Sequence, residues 1–217
     1  MRVDMHVHTV YSADSRIELK ALLKYAKRNC MGAGIADHNA IMGALKAVKE
    51  AREMGVLVIP GIEVSTKQGH VLAYNVDVQI PSGMSAEETV ERIRASGGVA
   101  VIPHPFRMVS GIGSAVHSVP CDAIEVQNSR NSYRANRKAL AVAMARKKGF
   151  SAGSDAHGID ELGTSYVEVE AESIDEVLDA IVKGRARVVG SSRRTSEMLT
   201  QYWTMLKGYA RRGFRKL

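Results

Sequence analysis

"DMHVHT", Asp4 to Thr9, places two histidines one residue apart in a run that otherwise reads as a buried strand. Residues i and i+2 of a strand point to the same face, so His6 and His8 share one side of the wall that the strand joins. What such a pair does depends on where the chain puts its other histidines: His38, His70, His104, His117 and His157.

Outward from that stretch, short β-branched runs alternate with amphipathic ones. The pattern predicts strands over 2–7, 34–37, 56–63, 71–76, 99–103, 123–126, 151–154, 166–169 and 186–189. Helices are predicted over 17–29, 40–54, 86–96, 134–148, 174–182 and 195–212, with Gly32, Gly55, Gly97 and Gly149 as breakers near their ends. Such alternation argues for parallel strands wrapped by helices. No repeat or Pro/Gly/Ser-rich linker divides the chain, so residues 1–192 read as one α/β domain. Residues 193–217 read as a basic helix packed on it or extending from it.

The 217 residues suffice for one full hydrophobic core. Cys30 and Cys121 form no CxxC pair, which sets aside a disulfide scaffold and a thiolate zinc site. No apolar run is long enough to cross a bilayer and no signal peptide is evident, so a cytoplasmic location is expected. The net charge of +7 is uneven: from Lys183 onward ten basic residues face one acid, Glu197. That segment fits either an anionic partner or a solvated helix surface. Leu199, Tyr202, Trp203 and Leu206 give it an apolar stripe. The stripe suits packing on the sheet, with a membrane-surface or RNA contact as alternatives.

The histidines follow strands. His38 ends "GIADH", His104 follows "VAVIP", and His157 lies in "GSDAH" with Asp155 two residues before it; Glu63 ends "IPGIE" and His70 opens the next strand. In an α/β barrel the C-terminal strand ends meet at one mouth, so these side chains converge. A basin of imidazoles and carboxylates there calls for a compensating positive centre, and divalent cations supply it. The donors are nitrogen and oxygen with no thiolate, which suits Mn²⁺, Zn²⁺ or Fe²⁺. Asp4 and Asp37 each precede a candidate metal-binding histidine, where they either orient an imidazole or serve the core or surface.

"DMHVHTVYSADS", "IADHN", "GIEVSTKQGHVLAYNV", "VIPHPFR", "AIEVQNSR" and "GSDAH" resemble, in order and spacing, the motifs of the PHP (polymerase and histidinol phosphatase) superfamily. The likeness runs from about Arg2 to His157, and the following "ELGTSYVEVEA" also fits. The resemblance implies a distorted (β/α)₇ TIM-like barrel with three divalent metal ions. One would lie on His6, His8, Glu63 and Asp155, a second on Glu63, His70 and His104, and a third on Asp14, His38 and His157. It implies a phosphoesterase using a metal-activated hydroxide, with Glu63, Asp14 and His157 taking part in catalysis. His117 is left over, as a structural or substrate-facing residue.

Around the mouth, Arg107, Arg130 and Arg193 are candidate phosphate clamps, each with an ordinary surface role as its alternative. Asn128 either ties its own turn or meets substrate. The substrate class stays open between a small phosphomonoester, a nucleotide and a nucleic-acid end, with the basic C-terminal segment favouring the latter two. The chain has no GxSxG, Walker-type or GxGxxG motif. Two alternatives stand beside this reading. One is an amidohydrolase, whose barrels also begin with HxH. The other is a non-catalytic nucleic-acid-binding module in which the cluster is structural.

Overall fold

The computed structural model describes residues 1–192. The expected C-terminal helix over 195–212 and Arg193 lie outside the described residues. In chain order the elements are β1 (Arg2–Val7), α1 (Leu19–Arg28), β2 (Met31–Ile35), β3 (Asp37–His38), α2 (Met42–Met54), β4 (Val58–Ile59), β5 (Gly61–Ser65) and β6 (His70–Tyr74). There follow α3 (Ala86–Ala95), β7 (Val99–Ile102), β8 (Ala123–Asn128), α4 (Tyr133–Ala145), β9 (Gly149–Gly153), β10 (Ser165–Glu168), α5 (Ile174–Val182) and β11 (Arg187–Gly190).

Local signals set the helix limits. Ser85 and Glu88 form a reciprocal capping box at the start of α3, and Ser173 caps α5. Gly55, left-handed at φ 65°, stops α2.

The strands form two sheets, ordered β11-β10-β1-β2-β4 and β3-β5-β6-β7-β8-β9. β2 continues through Ala36 into β3, and β4 through Pro60 into β5, so two strand pairs pass from one sheet to the other. On the far side the chain beyond β9 returns to β1: Asp155 N donates to His6 O at 2.7 Å, and His8 N donates to Ala156 O at 3.0 Å. With β2/β3 and β4/β5 each counted once, seven staves close into a distorted TIM-like barrel. β10 and β11 hang from the first half of the same β1 edge, with Val3 opposite Val167.

The ring departs from the expected parallel arrangement. β6 is antiparallel to both neighbours, because the four residues between Ser65 and His70 cannot make a crossover. This reversal brings His70, the first residue of β6, to the end of the barrel where β5 finishes. Between β7 and β8 the only helical turn is a 3₁₀ segment, Gly113–His117.

One apolar layer lies between the strands and α1–α4, with Ile62, Val64, Ile102 and Ile124 against residues such as Leu22, Ala47, Val90 and Ala139. A second cluster contains Ile59, Leu72, Tyr74, Val101 and Ala123 and continues to Val177 and Ile181 of α5. Leu72 stands opposite Glu63 in register, and Val101 opposite Leu72, so this apolar floor shares its face with Glu63. Among the described residues no helix is long and apolar enough to cross a membrane.

Candidate metal centre

Two register slips shape the basin. β1 carries a bulge between Asp4 and Val7, and β8 carries one between Glu125 and Gln127. Bulges add local twist and re-aim side chains. Two strand ends add a second device: His104 (φ 28°) and Asp155 (φ 57°) are left-handed non-glycine residues. Such conformations are held only where surroundings over-determine them. Here His104 N donates to Glu125 Oε2 at 2.9 Å, and Asp155 N is tied to β1. Gly153 allows that close approach, since a Cβ there would run into His6 Cβ and stand 2.6 Å from His6 N.

All nine residues expected as ligands meet in this basin. Glu63 is its hub. Its Oε1 lies 2.7 Å from His70 Nδ1 and 2.8 Å from His104 Nε2. Its Oε2 lies 3.2 Å from His38 Nδ1, 3.3 Å from His8 Nε2 and 3.5 Å from His6 Nε2. Asp155 Oδ1 is 3.4 Å from His8 Nε2 and 3.6 Å from His157 Nδ1. At the rim, Asp14 Oδ2 is 3.0 Å from His157 Nε2 and 3.5 Å from His38 Nε2. The basin grades outward: the His6, His8, His104, Glu63 and Asp155 side chains are buried, whereas that of Asp14 is 51% exposed. His117 is exposed at the end of the 3₁₀ segment and joins none of these contacts.

The donor set fits divalent cations. His6 Nδ1 faces Glu125 Oε1 at 3.0 Å. His8 Nδ1 faces Ser12 Oγ at 3.3 Å, an oxygen that accepts from His38 N. If both Nδ1 atoms donate, both Nε2 atoms present bare lone pairs, and these converge to 3.2 Å. Two nitrogens sharing one ion at about 2.1 Å lie roughly 3–3.4 Å apart. His104 Nδ1 is buried without a hydrogen-bond partner among the described residues. Among the described residues, four overlapping His/Asp/Glu triads each bring their ligand atoms within 4.8 Å of one another.

The protein charges express the same demand. Burial pushes His6 down, but Asp155, Glu125 and Glu63 more than offset this and hold it well above the usual imidazole range. Burial dominates at His8, pushed down to about 3. Burial would raise Glu63, yet His70 and His6 keep it well below the usual carboxylate range. Burial likewise opposes Arg107 and His6 at Asp155, and they prevail. The raised His6 marks a negative potential in the basin that a divalent cation would neutralise.

Glu125, fully buried, is the residue that the sequence reading missed. It faces the His6 ring and accepts from His104 N and from Asn128 Nδ2 at 2.9 Å. The available signal was a lone acid on the inward side of an apolar strand, "AIEVQN". Asp4 and Asp37, by contrast, orient no imidazole. Asp4 accepts from Ser154 N at 2.9 Å, Ser154 Oγ at 2.5 Å and Gly163 N at 2.8 Å, pinning β1 to the chain on either side. Burial pushes it up to about 6. Asp37 accepts from Thr9 N at 2.6 Å and Thr9 Oγ1 at 2.7 Å.

Arg107 and Arg130 both reach the basin. Arg107 pairs with Asp155 and donates to Asn128 Oδ1 at 2.8 Å and Asn131 Oδ1 at 3.2 Å. Arg130 stands against His157 Nδ1. Asn128 serves its own turn, accepting from Arg130 N at 2.9 Å, while also holding Arg107.

A seven-stave barrel with an imidazole–carboxylate basin at its mouth defines a protein of the metal-dependent barrel class. The chain belongs to the PHP domain family, which matches residues 4–134, and a PHP-associated region follows at 133–186. It is 35% identical over 141 residues to an uncharacterized protein of Methanocaldococcus jannaschii, spanning 59% of this chain and 82% of that one. Solved structures share the fold at low identity. One, from Bifidobacterium adolescentis, is described as a candidate metal-dependent phosphoesterase (18% identity, TM-score 0.65, covering 84% of this chain and 96% of that one). Another is an amidohydrolase from Chromobacterium violaceum with bound sulfate and no metal (17% identity, TM-score 0.66, covering 88% and 98%).

Proposed function

We propose that the chain is a metal-dependent phosphoesterase acting on a small phosphomonoester, a nucleotide or an oligonucleotide end. The observation that carries this reading is Glu63, one buried carboxylate whose two oxygens are approached by five imidazoles from two sides. That is the geometry of a bridging ligand. On this reading His6, His8, Glu63 and Asp155 hold one ion; Glu63, His70 and His104 hold a second; Asp14, His38 and His157 hold a third. Mn²⁺, Zn²⁺ and Fe²⁺ all suit these donors. Bound there, such ions polarise phosphoryl oxygens and bring water towards hydroxide near neutral pH.

The chain's own groups do the rest. Glu63 fixes the spacing of the first two sites. At the departing oxygen either the third ion or, with that site empty, the Asp14–His157 pair, hydrogen-bonded at 3.0 Å on the open rim, would serve, the pair by delivering a proton. Arg107 balances Asp155, and Arg130 beside His157 faces the side from which an anionic ester enters. The sulfate in the Chromobacterium violaceum structure is in keeping with a tetrahedral anion on this fold.

The test is a substrate panel with protein loaded with Mn²⁺. Release of phosphate from nucleotides or shortening of oligonucleotides is expected, and His8→Ala should lower metal content and turnover together. Hydrolysis of amides with phosphate esters untouched would transfer the assignment to the amidohydrolase alternative. Nucleic-acid binding without turnover on any ester would favour the non-catalytic one.

A further inference from the structure

Beside the basin, on the same end of the barrel, lies a groove of about 340 Å³ between the loop after β7 and the first turns of α4. Pro105, Phe106, Arg107, Ser132, Arg134 and Lys138 line it. Three of these side chains are cationic and none of the lining residues is acidic. Arg107 turns its guanidinium inward to Asp155. Arg134 and Lys138 are exposed and have no carboxylate partner among the described ion pairs. The Lys138 ammonium sits over the Phe106 ring, 4.0 Å from its centroid. A cation–π contact of this kind fixes the position of a charge without cancelling it. Ordinary surface lysines and arginines are dispersed among acids; here two unpaired cations and an aromatic face share one concavity that Arg107 joins to the basin.

We infer that this groove holds the phosphodiester next to the bond being cut, so that Arg134 and Lys138 select single-stranded oligonucleotides over isolated phosphomonoesters. The inference rests on the phosphoesterase reading and names its substrate class. Backbone contacts of this sort position a strand without reading its sequence, and their contribution falls with salt.

Binding and turnover separate the two claims. The probe is a fluorescein-labelled oligothymidylate of about eight nucleotides, a length within the usual footprint of single-strand sites. Its binding to the full-length chain is followed by anisotropy across a salt series. Arg134→Gln with Lys138→Gln should weaken binding roughly tenfold at low salt and flatten the log–log salt slope by about 0.7 for each phosphate no longer neutralised. The pair Lys46→Gln with Lys49→Gln, exposed on α2, serves as the charge control and should change neither quantity. In turnover, the groove variant should lose kcat/KM on the oligonucleotide while keeping its rate on p-nitrophenyl phosphate. Binding loss in the groove variant with no turnover by any form would sink the phosphoesterase reading and spare the groove. Unchanged binding, an equal loss in the control pair, or equally tight binding of a polyglutamate of matching charge would overturn the groove.

Discussion

At the scale of single residues, the decisive question is which nitrogen of His6 carries the proton. Glu125 answers it by facing Nδ1 with an acceptor while its other oxygen takes the N–H groups of His104 and Asn128. Glu125→Gln nearly preserves shape but has only one acceptor. Turning its carbonyl to His104 and Asn128 leaves an NH₂ against His6 Nδ1, so the proton must move to Nε2, the atom that should face the cation. We expect a roughly 10–100-fold loss of metal affinity at that site, the usual scale for such supporting carboxylates. Nitrogen-15 NMR of the metal-free protein, at a pH high enough to leave His6 neutral, should report the tautomer exchange directly. Full metal loading with unchanged affinity in this variant would remove Glu125 from the account. The spacing of "HVH" made His6 and His8 legible from sequence, because strand geometry is local. Glu125 was legible only as a lone acid in an apolar strand, and its role was not: its partners lie 119 positions away at the ring of His6 and 21 away at the backbone of His104. Nothing in the strand period distinguishes a carboxylate turned to a ligand from one turned to solvent.

At the scale of elements, helix limits were readable because caps and breakers act within a few residues. The interruption of the predicted strand 56–63 by Pro60 was signalled by the proline itself, which cannot donate to a ladder. The reversal of β6 was written in a length, four residues between Ser65 and His70, rather than in hydrophobic period. Alternation of apolar residues does not encode strand direction. Two residues after the end of α4, Lys147 is left-handed, φ 52°, on the surface. An L side chain there is strained, whereas glycine is not, although glycine also loosens the unfolded chain. Lys147→Gly should therefore raise stability by about 0.5–1 kcal/mol, a gain of roughly 1–4 °C in melting temperature. A fall in melting temperature would show that the lysine side chain has a role at that end of the helix.

At the scale of the whole molecule, cations bound in the basin would join β1, β3, β5, β6, β7 and the chain beyond β9. A ligand that binds only the folded state stabilises it by mass action. Chelation of the loaded protein should lower its melting temperature by roughly 10 °C, and restoring Mn²⁺ or Zn²⁺ should recover it. Loading should also weaken as pH falls, beginning above the ordinary imidazole range, because His6 is held well above that range and must lose its proton to ligate. An identical melting curve with and without chelator would mean that the basin does not hold metal in the folded protein. The outer edge of β1 carries a further consequence for how the chain is made. Asp4 and His6 are synthesised some 150 residues before the groups that complete them, Ser154, Asp155 and Gly163. At ordinary translation speeds β1 waits roughly ten to thirty seconds with one side unpaired. Nascent chains cut short before "GSDAH" should stay open to proteases and chaperones along β1, however well their middle helices have formed.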